Sequence, residues 1–363
     1  MWELIFGFAT SFLLVLFATP VLIKVAKLKH LVDEPGDARK LHQRSVPTIG
    51  GIMIFAGVII SYSLCFPSSH ESQLGEIFSQ NILGALEKFK YLVACMFILF
   101  FLGLKDDIIG VSPSKKLLVH IVVGLVLIVM ANIRITNFWG LFEIDAIPNW
   151  VSIILSLFTY IVIVNAINLI DGVDGLATGV GFISSMAFAY WFYQTGDMPL
   201  AVLALALGGS LLGFLFYNFS PAKIFMGDSG SLVIGLVLYV LAVELIEIPA
   251  NRLPEGMLGV SKPVLAMAML SYPLIDTLRV FFYRIVRGRS PFSADKNHIH
   301  HKLLSLGLGH KKTVLILYGY VTLIIALCFV MPDYKPNIRF LLVGGVAIIL
   351  VQVLFLIKSR NQR

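Results

Sequence analysis

The chain has 363 residues, 58% of them apolar and 13% charged, with a mean hydropathy of +0.89 and a formal net charge of +7. Soluble domains are about 45–50% apolar and about 25% charged, so the composition excludes an ordinary soluble globule and defines an integral membrane protein. No basic run is interleaved with stacking aromatics, which excludes nucleic acid as the partner of the positive charge. The three cysteines, Cys65, Cys95 and Cys328, lie in or beside apolar runs without CxxC spacing and read as small core residues.

Taken in chain order, apolar runs near the length that crosses about 30 Å of hydrocarbon fall at 2–24, 48–66, 91–104, 117–133, 150–166, 177–194, 200–218, 230–247, 263–283, 314–331 and 338–357. They predict an all-α polytopic membrane fold of about eleven transmembrane helices, with residues 1–363 forming a single integral-membrane domain. The first run has no basic start and no small-residue cleavage site, so it reads as a span rather than a removable signal. Lys and Arg divide unevenly between alternate sides: 20 of the 28 fall on one side and 7 on the other, with Arg279 inside a span. By the positive-inside rule this places the N-terminus outside and the C-terminus in the cytoplasm.

The polar stretches follow the same division. "DEPGDARKLHQRSVPTIGG" (33–51), "GLKDDIIGVSPSKK" (103–116), "NLIDGVDGLATG" (168–179), "YNFSPAKIFMGDSGS" (217–231) and "RGRSPFSADKNHIHHKLLSLGLGHKK" (287–312) all fall on the cytoplasmic side. Five aspartates on that side, Asp106, Asp107, Asp171, Asp174 and Asp228, stand in glycine-flanked contexts at the ends of apolar runs. One reading is helix capping, which favours acids near helix starts and suits Asp228. The other is a hard divalent cation, since Mg²⁺ takes one or two carboxylates and completes its shell with substrate phosphates and water. The absence of Lys or Arg within 165–179 favours the second. Gly172, Gly175, Gly227 and Gly230 would let backbone N–H groups approach an anion.

Three histidines in four positions, His298, His300 and His301, lie beside Arg289, Lys296 and Lys302. Their spacing matches no familiar zinc site, and beside cations they read as a pyrophosphate-binding surface. Lys115 and Lys116 begin the run after Asp106 and Asp107, where a lipid phosphate would arrive. Asp276 and Arg279, three apart in the ninth run, read as an intramembrane ion pair that orients the following loop.

Together and in this order, these motifs resemble the polyprenyl-phosphate N-acetylhexosamine-1-phosphate transferases across nearly the whole chain. The "HIHH" form resembles the branch that transfers N-acetylglucosamine-1-phosphate to undecaprenyl phosphate, rather than the phospho-N-acetylmuramoyl-pentapeptide branch of peptidoglycan synthesis, which has a contiguous His run. The resemblance implies that Asp106 and Asp107 deprotonate the lipid phosphate, that Asp228 holds Mg²⁺ (or Mn²⁺) with Asp107 beside it, and that Asn168, Asp171 and Asp174 line the nucleotide-sugar site. It also implies a uridine pocket at Asn218 and Phe225, a pyrophosphate contact from His300 with His298, His301 and Arg289 around it, and a lipid-phosphate contact from Lys116. The partners implied are a UDP-N-acetylhexosamine, undecaprenyl phosphate and the lipid bilayer of a bacterial plasma membrane, with a homodimer left open. Three rival classes fit less well. The Asp-Gly signature of CDP-alcohol transferases lacks its Ala-Arg here, the "FMGD" stretch lacks the first glycine of an intramembrane aspartyl protease, and a polytopic transporter would place its buried carboxylates near mid-membrane and on both faces.

Overall fold

The structure, a computed structural model, describes residues 2–33, 45–66, 76–288, 298–331 and 334–357. In chain order its helices are α1 (Trp2–Leu28), α2 (Gly51–Leu64), α3 (Glu76–Ile109), α4 (Pro113–Leu125), α5 (Asn149–Leu169), α6 (Leu176–Gln194), α7 (Met198–Asn218), α8 (Gly227–Glu247), α9 (Lys262–Met269), α10 (Ser271–Val286), α11 (Ile299–Ser305), α12 (His310–Val330) and α13 (Pro336–Leu356). Each of the eleven apolar runs contains helix, ten of them centred on a single helix and the ninth divided between α9 and α10. Among the described residues, eight helices are long and apolar enough to cross a membrane alone.

Three runs differ from a plain span, each for a physical reason. The run at 48–66 begins with backbone paired to another segment, so its helix is only the 14 residues of α2, about 21 Å at 1.5 Å per residue. The run at 91–104 belongs to the 34-residue α3, which carries Lys88 and Lys90 before it and Asp106 and Asp107 at its end. The ninth run breaks at Leu270, where α9 and α10 meet at 80°.

The centre of the fold is α8. Its sequence is apolar on all sides from Leu232 to Val243, which only a helix surrounded by protein can use, and every one of those residues is buried. It packs against α2, α3, α5, α6, α7 and α9. Small residues permit the closest approaches: a Cβ on Gly235 would lie 2.7 Å from Val164 Cα in α5, and one on Gly103 of α3 would lie 2.5 Å from the Asp228 carbonyl carbon. Such contacts are how helices associate where the surrounding medium is itself apolar. The two-residue strands β1 (Val32–Asp33) and β2 (Val46–Pro47) pair antiparallel. The segment after β2 then runs alongside the approach to α8: Phe225 N–H donates to Pro47 O (2.7 Å), Gly50 N–H to Phe225 O (3.0 Å) and Gly51 N–H to Met226 O (2.8 Å). Backbone from two distant stretches thus fixes where α8 begins.

Candidate active site

The start of α8 is where the polar motifs converge. Asp107, near the end of α3, accepts the N–H groups of Asp228 (2.7 Å) and Ser229 (3.0 Å) on its two carboxylate oxygens. It therefore caps α8 and sets the Asp228 backbone. Gly227 stands between them at φ +70°, where a side chain would run into the Thr48 carbonyl and the Asp107 carboxylate. Only glycine fits that turn.

Asp228 then projects its carboxylate to a polar cluster. Oδ1 accepts from Asn168 Nδ2 (2.8 Å), which also donates to Ser231 Oγ (2.9 Å). Oδ2 is paired with the Lys116 ammonium, and Lys116 also reaches Asp106 Oδ2 at 3.1 Å. Asp106 Oδ1 accepts the Val111 N–H (2.7 Å). One ammonium is thus shared by two carboxylates drawn from α3 and α8. Asp171, in the turn between α5 and α6, joins the group from the side. Burial, with the Asp228 and Asp107 carboxylates facing it, holds its carboxyl well above the usual carboxylate range. Asp106 and Asp228 thus share one lysine, with the Asp107 and Asp171 carboxylates close to Asp228, so the cluster carries more negative than positive charge.

Asp174 and Asn218 act on the frame. Asp174 accepts the Ala222 N–H (3.0 Å). Asn218, 2% exposed, accepts from Gly175 N–H (3.1 Å) and Thr178 Oγ1 (2.7 Å) and donates to Ile224 O (3.0 Å). These bonds lock the 171–175 turn to the 219–226 loop, and the side-chain amide of Asn218 is spent on that frame. Phe225 is half-buried beside it, held through its backbone to Pro47 and Gly50.

The histidines approach from the opposite side. Asp276 of α10 is fully buried, and there it accepts from His298 Nδ1 (2.7 Å) and from the Ile299 N–H (2.7 Å). The sequence pairs Asp276 with Arg279. In the structure Asp276 serves His298 instead, and the Arg279 guanidinium stacks on the Phe355 ring at 3.3 Å. The intended consequence survives, because Asp276 does anchor the loop. His300 is 1% exposed, with Nδ1 3.2 Å from the Tyr272 hydroxyl and Nε2 facing Gly172. Burial pushes its imidazole down to about 3, so it is a neutral ring at physiological pH and not one of the positive charges of the loop. The His301 ring lies 4.4 Å from the His300 ring, centroid to centroid. Arg289, Lys296 and the basic residues of 39–44 lie outside the described residues.

Sequence reasoning did not find Tyr272, Tyr318 or Ser231. Tyr318 donates to the Gly175 carbonyl, bracing the aspartate turn from α12. Ser231 had a readable signal: it sits three residues after Asp228 and so shares its helix face. The tyrosines had none, because their partners lie far away in the chain.

Among the described residues no three His, Cys, Asp or Glu side chains form a ready-made metal cage. The donors the cluster does offer are carboxylate oxygens, of which a hard cation such as Mg²⁺ takes one or two, with water and phosphate completing its shell.

Fold and site together define a polytopic α-helical membrane protein with an aspartate–lysine–histidine centre at one end of its helix bundle, a chemistry suited to phosphate-bearing substrates. Residues 89–246 match the profile of glycosyl transferase family 4. The chain is 33% identical over 326 residues to a probable undecaprenyl-phosphate N-acetylglucosaminyl 1-phosphate transferase of Bacillus subtilis, covering 88% of this chain and 82% of that protein. It is 33% identical over 334 residues to a decaprenyl-phosphate N-acetylglucosaminephosphotransferase of Mycobacterium leprae (87% and 80%). It is 28% identical over 319 residues to the undecaprenyl-phosphate alpha-N-acetylglucosaminyl 1-phosphate transferase of Escherichia coli K12 (86% and 78%). The chain belongs to glycosyl transferase family 4, the polyprenyl-phosphate N-acetylhexosamine-1-phosphate transferases.

Proposed function

We propose that the protein transfers N-acetylglucosamine-1-phosphate from UDP-N-acetylglucosamine to undecaprenyl phosphate in a bacterial plasma membrane, releasing UMP and starting a lipid-linked envelope glycan. The observation that carries the reading is the shared lysine: Lys116 bridges Asp106 and Asp228 at the mouth of the bundle, on the side that the Lys and Arg distribution assigns to the cytoplasm. A cytosolic nucleotide sugar and an inner-leaflet lipid phosphate meet at that boundary. The relatives' names support both the N-acetylglucosamine phosphate and the polyprenyl acceptor, and favour them over the peptidoglycan precursor and over transport.

In this reading a lipid-phosphate oxygen attacks the sugar-linked phosphorus, forms the new pyrophosphate bond and expels UMP. Lys116 leaves its carboxylates to hold the incoming lipid phosphate, and Asp106, released from Lys116, accepts any proton the phosphate still carries. Asp228, with Asp107 beside it, would hold Mg²⁺, which would supply charge neutralisation at the diphosphate and the leaving UMP, and Asp171 would face the nucleotide sugar. Asn168 keeps the Asp228 carboxylate aimed through its 2.8 Å bond. His300 offers a neutral ring nitrogen toward the 171–175 turn, and the cations beside it in sequence supply the positive charge. Most of the acceleration then comes from positioning and fixed electrostatics.

Purified full-length protein in detergent, given UDP-N-acetylglucosamine, undecaprenyl phosphate and Mg²⁺, is expected to release UMP in step with formation of the lipid-linked sugar. Asp228→Asn is expected to lower the rate by about 10²-fold or more, the scale of losing one electrostatic element of such a site. No UMP release by the wild-type protein, or turnover by Asp228→Asn equal to it, would overturn the assignment.

A further inference from the structure

At the other end of α8, about 30 Å from Asp228 at 1.5 Å per residue, a second site is built. A cavity of about 380 Å³ is lined by Trp139, Leu253, Leu258, Ser261, Lys262 and Lys335, among others. That volume lies in the range of small-molecule sites, about 300–1,000 Å³. No step of the sugar-phosphate transfer uses it.

Its polar groups are a buried lysine with no anion in direct contact and a buried serine whose hydroxyl has no partner. Lys262 is 3% exposed; its ammonium donates to the Ile248 carbonyl and stands 3.1 Å from the centroid of the Trp139 ring. Among the described residues no carboxylate lies within ion-pair distance of it. Glu247, the acid acting on it from nearby, is committed through both oxygens to the N–H and the hydroxyl of Thr136. A buried ammonium held by a carbonyl and a ring face, with its nearest acid beyond ion-pair distance, gains from an anion in direct contact. Ser261 is 6% exposed, lines the cavity, and its Oγ has no hydrogen-bond partner. It is also the N-cap residue of α9 and makes no capping bond with its side chain, so the positive end of α9 lies at the same wall. Lys335 adds a second cation at the rim. Trp139 itself holds φ +52°, a strained backbone for a bulky residue, braced by its Nε1 donating to Ile246 O (2.7 Å) and by Lys262 on its face.

We propose that this cavity is an anion site for a phosphate group, with Lys262, Ser261 and Lys335 as its ligands. Two sources carry that chemistry: the headgroup of an anionic membrane lipid, for which Leu253 and Leu258 would receive the glycerol and acyl stem, and free phosphate from the aqueous phase.

The test uses the full-length protein, stripped of lipid in detergent and titrated with short-chain phosphatidylglycerol, with phosphatidylcholine of the same chain length, or with inorganic phosphate at constant ionic strength. Intrinsic tryptophan fluorescence, which Trp139 reports from the cavity wall, and Tm are read together. A saturable response to phosphatidylglycerol and none to phosphatidylcholine supports a lipid source, and an equal response to phosphate at the same concentration supports the free anion. In either case Lys262→Met is expected to weaken the apparent Kd about tenfold or more and Ser261→Ala about threefold, with Lys262→Arg close to wild type. Equal curves for the two lipids with no response to phosphate would overturn the site. So would undiminished anion affinity in Lys262→Met. Should Lys262→Met fail to fold, Ser261→Ala and Lys335→Met decide: unchanged affinity in both overturns the proposal.

Discussion

Asp106 and Asp107 are neighbours of identical chemistry, yet the structure gives them separable jobs, and substitution should separate them. Asp107→Ala removes the acceptor for two backbone N–H groups at the start of α8, those of Asp228 (2.7 Å) and Ser229 (3.0 Å). A hydrogen bond to a charged group is worth about 1.5–3 kcal/mol, and a lost N-cap costs about 0.5–2 kcal/mol. Gly103 and Gly227 pack that turn too closely for water to enter easily, so the combined loss should be about 2–3 kcal/mol, a few degrees in Tm for a chain of this size. Freed at its backbone, the Asp228 carboxylate loses its aim at Lys116 and Asn168, so turnover falls as well. Asp107→Asn keeps one acceptor oxygen and should fall between. Asp106→Ala removes the Val111 acceptor and one partner of a partly buried lysine that keeps Asp228, which costs about 1 kcal/mol while abolishing turnover. Thermal unfolding followed by intrinsic fluorescence, with UMP release measured on the same preparations, gives both quantities. An Asp107→Ala protein that is inactive at unchanged Tm, or equal destabilisation by the two alanine variants, would refute the division of labour.

Four further outcomes follow from the same geometry. Gly227→Ala forces a side chain at φ +70° against Asp107 and Thr48; it should lower Tm by more than Asp107→Ala and remove turnover, and near-normal Tm would contradict the packing. His300 has its pKa pushed down to about 3 from about 6.5 in the unfolded chain, so its contribution to stability is complete above about pH 6.5 and is lost as pH falls toward 3. His300→Gln should therefore flatten the fall of Tm with acidification over that window, and an unchanged slope would show that His300 is not held neutral. Asp276→Asn should detach His298 and the start of α11, lowering turnover about tenfold or more while Arg279→Met, whose guanidinium lies on Phe355, has a much smaller effect; the reverse ranking would restore the ion-pair reading. Removal of divalent ions with a chelator should stop UMP release and be reversed by Mg²⁺, whereas full activity in the chelator would exclude Mg²⁺ from the site.

Much of this molecule is legible along the chain, because membrane insertion is a local contest between apolar side chains and water. Runs of about 20 apolar residues must form helices to satisfy their own backbone, and all eleven runs do. The glycine-flanked aspartates are equally visible, since charge at the end of an apolar run stands out, and four of the five converge within one cluster. Even the branch of the family could be read, from the spacing of His298, His300 and His301. Where the run at 263–283 bends is less visible: nothing in its hydropathy distinguishes a straight helix from the 80° break at Leu270.

The roles of the individual aspartates belong to the tertiary structure. Asp107 caps a helix that begins 120 residues later, Asp228 takes its partners from Lys116 and Asn168, Asp174 holds a loop at Ala222, and Asp276 turns to His298 rather than to Arg279 one helical turn away. Residue type and spacing specify which side chains are charged, which lie on one helix face and which lie near a membrane boundary. They do not specify which distant backbone N–H or ammonium a carboxylate will meet. That choice follows from how closely α3, α5 and α8 pack, and the packing is set by small residues, Gly103, Gly227 and Gly235, whose consequence appears only once the helices are assembled.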